Sequence, residues 1–185
     1  MMMSSIDLVN FAIVVSGFVI SVLGFLLALF LRQTTRESRG FFLVFFLLLA
    51  GYTASQTVCQ LSRTALLSQI ALFFSSLFSS LLIPAITLYL LRCAGKSWRR
   101  SPLFALVMAL WTAYFALLVV TQFTTKIYYY TPDNAYHRGP WYPLLLTPPV
   151  AMMAVNLYAL LRRRNRLSRR QFAALLIYVA VDRKS

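Results

Sequence analysis

The chain has 185 residues, 60% of them AVILMFWYC and only 12% charged, with a mean hydropathy of +0.73. Soluble domains carry roughly 25% charged residues, so these proportions argue against a soluble globular protein and against disorder. The net charge of +14, from 18 Lys and Arg against 4 Asp and Glu, would by itself suggest nucleic acid, and only the pattern of those charges decides against it.

The stretches between charges set the elements. Uncharged gaps of 24, 23, 28, 25 and 23 residues separate Asp7 from Arg32, Arg39 from Arg63, Arg63 from Arg92, Arg100 from Lys126 and Arg138 from Arg162. A helix needs about 20 apolar residues to cross a hydrocarbon core of about 30 Å. The predicted fold is therefore all-α, a polytopic transmembrane bundle with spans over 8–31, 41–62, 66–91, 102–125 and 143–161. It forms one membrane domain over 1–185 with no soluble output domain.

The first span has no Lys or Arg before it, carries Asp7 and lacks a small-residue cleavage site. It reads as a retained helix rather than a signal peptide. Gly17, Ser21, Gly24 and Ala28 fall on one of its faces, where small side chains admit a second backbone. That face serves dimerisation, a moving contact or ordinary packing within the chain, and packing is the preferred reading.

The second span carries Tyr52, Gln56 and Gln60 at helical spacing, with Thr53 and Thr57 alongside. The third carries Ser75, Ser76, Ser79 and Ser80. In lipid these groups are expected to turn inward, as glue between helices or as the lining of a polar pocket. Pro84 in the third span and Pro148 and Pro149 in the fifth remove backbone donors and predict kinks that serve as hinges. Cys59 and Cys93 form no disulfide framework.

The most distinctive stretch lies between the fourth and fifth spans, from Lys126 to Tyr142. Thr131-Pro132-Asp133-Asn134 predicts a turn with Pro at its second position. Asp133, His137 and Arg138 lie close to Tyr136, Trp141 and Tyr142. The group reads either as an aromatic belt with Arg138 on a lipid phosphate or as a lid over a small ligand. The candidate ligand residues are Asp133, His137, Arg138 and Trp141, with Gln56 and Gln60.

A sixth apolar segment, 169–181, opens on a capping box at Ser168 and Gln171 and gives way to Asp182-Arg183-Lys184-Ser185. It predicts a partial helix cut short. Lys and Arg total 13 across the loops after spans one, three and five, and 3 (Arg63, Lys126 and Arg138) on the other side. This bias puts the N-terminus outside and the basic loops in the cytoplasm. The basic residues thus read as topology signals near anionic headgroups, with no nucleic-acid partner.

No predicted span holds an Asp, Glu, Lys, Arg or His, which argues against an ion pump. No nucleophile elbow, zinc-protease motif or P-loop occurs. One His and two separated Cys make no metal site. The sequence therefore predicts no enzyme, no metal and no cofactor.

Several of these residues carry a resemblance. They are Phe73 to Leu91 running through Pro84, the segment from Tyr130 to Pro143, and the basic run Arg162 to Arg170. With an outside N-terminus and short basic inner loops, the chain from Leu8 to Val181 resembles the N-terminal seven-helix sensor modules of bacterial histidine kinases and diguanylate cyclases. The resemblance implies a receptor in the bacterial cytoplasmic membrane. It would pass an outer or intramembrane signal from an unknown small ligand to a cytoplasmic output domain, often as a homodimer. Five and a half helices stand where that family has seven, so the chain reads as a truncated sensor region. The alternatives are a substrate-capture subunit of a vitamin-type uptake transporter, docking a partner through the first helix, and a structural membrane protein without a ligand.

Overall fold

Each uncharged gap is occupied by one helix. The computed structural model describes residues 5–30, 36–93, 95, 97 and 101–162. The helices are α1 (Ser5–Phe30), α2 (Arg36–Leu61), α3 (Ala65–Cys93), α4 (Pro102–Val120) and α5 (Tyr142–Arg162), with two short strands, β1 (Tyr128–Tyr130) and β2 (Tyr136–Arg138), between the last two. All five helices are long and apolar enough to cross a membrane, and the chain is a multi-pass membrane protein. The predicted helix over 169–181, its capping box and the basic run beyond Arg162 lie outside the described residues.

Local signals explain several boundaries. The Arg39 guanidinium reaches back to the Leu29 carbonyl, placing a cation on the unpaired carbonyls that end α1. Gly95 takes φ +67° and bonds its N–H to the Arg92 carbonyl at 2.9 Å, closing α3 in the left-handed conformation that glycine adopts freely. Pro102 stands at the start of α4, where a missing N–H costs nothing.

Side-chain contacts order the helices. Gly17 lies against Thr53, and Gly24 against the Phe46 ring, so α1 and α2 are antiparallel. Gly51 receives the Phe78 ring, and Cys59 lies near Ser68, which makes α2 and α3 antiparallel. Trp111 donates to Ser80 Oγ at 3.2 Å, linking α4 to α3. Three small cores then stack down the α3, α4 and α5 unit. Tyr114, Leu118 and Leu145 pack with Ile127 and Tyr128 at the hairpin end. Ile83, Val107 and Met152 form the middle. Ile86, Leu90, Ala159 and Leu160 form the far end.

The bundle is thus a three-helix core with α2 laid on α3 and α1 laid on α2. Large apolar side chains such as Ile13, Ile20, Leu27, Leu47 and Val150 stay exposed on its flanks. In a soluble protein such a surface would aggregate, whereas lipid tails cover it without cost.

Two expectations change in detail. α4 ends at Val120, not at 125. Gln122 and Phe123 continue with tighter bonds to the Val119 and Val120 carbonyls, because the run Thr121 to Thr125 is rich in residues whose hydroxyls compete for helix carbonyls. The hydroxyls of Thr53, Ser55 and Thr57 bond to carbonyls three or four residues back on α2 itself rather than across helices. Of the α3 serine set, Ser80 reaches a neighbouring helix by a hydrogen bond, accepting from Trp111. Both α3 and α5 run without interruption through Pro84 and through Pro148 and Pro149.

Candidate functional site

The polar chemistry gathers at the hairpin end. Asn134 N–H donates to the Thr131 carbonyl at 2.8 Å, closing the predicted turn with Pro132 at its second position. Asn134 then takes φ 59°, which its short polar side chain tolerates, and Thr131 N–H returns to the Ala135 carbonyl at 3.0 Å. This is the three-residue hairpin connection, a turn followed by a left-handed residue. It sets an antiparallel register of Tyr128 with Arg138, Tyr129 with His137 and Tyr130 with Tyr136.

Alternation along the strands sorts the side chains. Tyr129 and His137 share the outward face, ring on ring at 5.4 Å. Tyr128, Tyr130, Tyr136 and Arg138 share the face toward the helices. There Tyr136 lies 5.6 Å from the Tyr130 ring and 6.1 Å from the Tyr128 ring. Tyr136 also lies near Tyr142, the first residue of α5, and near Arg138.

Three helices hold this tyrosine face. From α2, Cys59 Sγ is 3.4 Å from the Tyr130 hydroxyl. Ser62, just past the end of α2, accepts the Asn134 side-chain amide on its carbonyl at 2.9 Å. At the end of α4, Thr121 Oγ1 lies 2.6 Å from the Leu118 carbonyl and 3.0 Å from the Tyr128 hydroxyl, and Gln122 Nε2 donates to that hydroxyl at 3.3 Å. From α5, the Tyr142 ring lies under the Arg138 guanidinium at 4.8 Å. Gly139 closes the base. Its N–H reaches the Ile127 carbonyl at 2.8 Å, and a Cβ there would run into the Lys126 carbonyl.

Burial raises the phenol pKa values of this face, because a phenolate is poorly solvated there. Tyr128 is raised above 10 despite hydrogen bonds from Thr121 and Gln122 that favour its ionised form. Tyr130 is raised by burial and by the neighbouring Cys59. Tyr136 is pushed up to about 12 by burial and then by Tyr142, with Arg138 pulling the other way. All three act as neutral hydrogen-bonding phenols at physiological pH.

Of the predicted ligand residues, Asp133, His137, Arg138 and Trp141 all lie exposed on the hairpin and the turn after it, but the register puts His137 on the outward face and Arg138 on the face toward the helices. Gln56 and Gln60 do not join them by any hydrogen bond among the described residues. Gln60 is exposed, and Cys59 and Ser62 make the contacts to the hairpin instead. The small-residue face of α1 packs on α2 within the chain, where Ser21 and Ala28 are buried.

A second polar cluster, inside the bundle, escaped the sequence reading. The Thr87 hydroxyl lies 2.9 Å from the Ile83 carbonyl and 2.8 Å from Asn156 Oδ1. Asn156 is 2% exposed, and a lone Asn in an apolar span was its only signal. Among the described residues no group of three His, Cys, Asp or Glu is placed to hold a metal ion. No family model, curated protein or solved structure matches this chain.

Proposed function

We propose that this chain is the sensory region of a membrane receptor, set in a bacterial cytoplasmic membrane with its N-terminus and hairpin outside and its basic loops inside. The observation that carries the reading is the attachment of the hairpin. One small element is attached to the ends of α2, α4 and α5 at once, through Tyr130 and Asn134, through Tyr128, and through Arg138 on the Tyr142 ring. A stimulus that moves the hairpin pulls on three spans together, and the packed α3, α4 and α5 unit carries that movement toward the output side. Asp133, His137, Arg138 and Trp141, exposed at the tip, the two faces and the base of the hairpin, are the residues an outer stimulus would meet. The substrate-capture alternative rested on α1 docking a partner through its small residues, and that face is already occupied by α2.

The test perturbs the hairpin and reads the opposite end. Spin labels go at Arg92→Cys and Arg162→Cys, both exposed, in a chain carrying Cys59→Ser and Cys93→Ser. Gly139→Ala is then introduced, and the interspin distance is measured by pulsed electron resonance in bilayers. The receptor reading expects a shifted or broadened distance distribution. An unchanged distribution, with the hairpin shown to be opened by amide hydrogen exchange, overturns it.

A further inference from the structure

The depth of the hairpin base can be worked from the helices below it. α4 has 19 residues and α5 has 21, and at about 1.5 Å per residue each spans about 30 Å, the thickness of the hydrocarbon core. Val120 and Tyr142 therefore stand where hydrocarbon gives way to headgroups. The residues just beyond them, Phe123, Lys126, Arg138 and Trp141, lie in the headgroup layer.

Two of these residues are cations with donors to spare. Lys126 Nζ is 5.4 Å from the centre of the Trp141 ring, and the Arg138 guanidinium rests 4.8 Å from the centre of the Tyr142 ring. Aromatic faces hold a cation's position without using its N–H groups. Neither cation forms an ion pair among the described residues. The backbone ties the two sides together, since Trp141 N–H donates to the Lys126 carbonyl at 2.9 Å and Gly139 N–H to the Ile127 carbonyl at 2.8 Å.

We infer that Lys126 and Arg138, braced on Trp141 and Tyr142, form a binding site for the phosphate of an anionic phospholipid headgroup. The apolar groups beside the cations name the source of that phosphate. Phe123 is 83% exposed and Trp141 is 55% exposed, and an acyl chain entering below a bound headgroup covers both. A free anion would neutralise the cations and leave those surfaces in water. The guanidinium donates to phosphate oxygens through its planar fork, and the ammonium adds a point charge. The inference goes beyond the receptor reading and does not need it, since the same site would hold a lipid in a chain that signals nothing.

The test uses Trp141 as a local probe, in the full chain carrying Trp98→Phe and Trp111→Phe and reconstituted in bilayers. Quenching by brominated phosphatidylglycerol is compared with quenching by brominated phosphatidylcholine, and the ratio gives the relative affinity at this position. The expected preference for the anionic lipid is about 30-fold, the scale of two basic residues at an anionic surface. Lys126→Gln lowers it to about fivefold, and Lys126→Gln with Arg138→Gln abolishes it. Lys126→Gln removes only an exposed contact, so it reports even if the double variant fails to fold. Equal quenching by the two lipids, or a preference that survives Lys126→Gln unchanged, overturns the inference. Loss of the preference on adding excess inorganic phosphate at constant ionic strength also overturns it, in favour of a soluble-anion site.

Discussion

Asn156 gives the sharpest energetic test, because a leucine and an aspartate at that position should behave very differently. Asn156→Leu removes the 2.8 Å bond to Thr87. It orphans nothing there, because the Thr87 hydroxyl keeps its 2.9 Å bond to the Ile83 carbonyl. The second contact, from Asn156 Nδ2 to Ile83 O at 3.5 Å, is too long to add much. Leucine is close to asparagine in reach, so the expected loss is that of one interhelical hydrogen bond, about 0.6 kcal/mol and no more than about 1.7. Asn156→Asp keeps the shape and adds a charge to a site that is 2% exposed. A carboxylate in a spanning helix costs about 2.5–3.5 kcal/mol, and here it also faces the Ile83 carbonyl without an N–H to offer. The loss shrinks as the pH falls, because protonation in the folded state removes the charge. Reversible unfolding in mixed micelles, followed by circular dichroism at two pH values, measures both. A leucine variant losing more than about 2 kcal/mol, or an aspartate variant losing no more than the leucine one, refutes this account of the cluster.

The glycines offer a matched pair. Gly24→Ala drives a methyl into the Phe46 ring and costs about 1–3 kcal/mol by overpacking, whereas Gly40→Ala meets nothing within 4 Å and gains up to about 1 kcal/mol of helix propensity, both read from the same unfolding curve. Gly139→Ala breaks the hairpin base, seen as faster amide hydrogen exchange at position 139 and at Trp141, whose N–H groups bond the Ile127 and Lys126 carbonyls, with the helices still protected. Tyr136 sits above its ordinary value of 10, at about 12. Its contribution to stability is therefore complete below pH 10 and is lost as the pH rises through about 12. Tyrosinate absorbance in the wild type minus Tyr136→Phe isolates that late step, and a difference signal centred near pH 10 contradicts the packing of this ring. The proposed topology predicts that His137→Cys reacts with an impermeant maleimide in intact cells while Arg162→Cys, in the same cysteine-free background, reacts only after permeabilisation.

The five helices were legible because a membrane imposes one strong rule, that a span contains no charge. The end of α4 was not legible by that rule. Thr121 to Thr125 is uncharged, so the gap ran on to Lys126, but the residues there turn the chain by bonding hydroxyls to the last carbonyls of the helix. The pairing of helices was partly written in the small residues. Gly24 and Gly51 mark where the Phe46 and Phe78 rings land, although nothing in the sequence says which phenylalanine meets which glycine.

The hairpin shows a different limit. Its turn was readable from Thr131-Pro132-Asp133-Asn134, and the flanks Tyr128 to Tyr130 and Tyr136 to Arg138 are aromatic enough to favour strands. Next to a membrane, however, aromatic runs also signal an interfacial belt, and the two meanings compete for the same residues. Pairing resolves the competition by giving each aromatic a side. It turns Tyr129 and His137 outward and packs Tyr128, Tyr130 and Tyr136 against the helices, and the backbone amides that a bare belt would leave to water are paired across the ladder. The pairing also decides which neighbours matter. Gln56 and Gln60 are large polar groups on α2, but a docked hairpin needs short partners at the very end of that helix. Cys59 and the Ser62 carbonyl are short enough and lie at the right height. The hairpin site is therefore a property of register, fixed by Asn134 and Gly139, more than of the side chains that first suggested it.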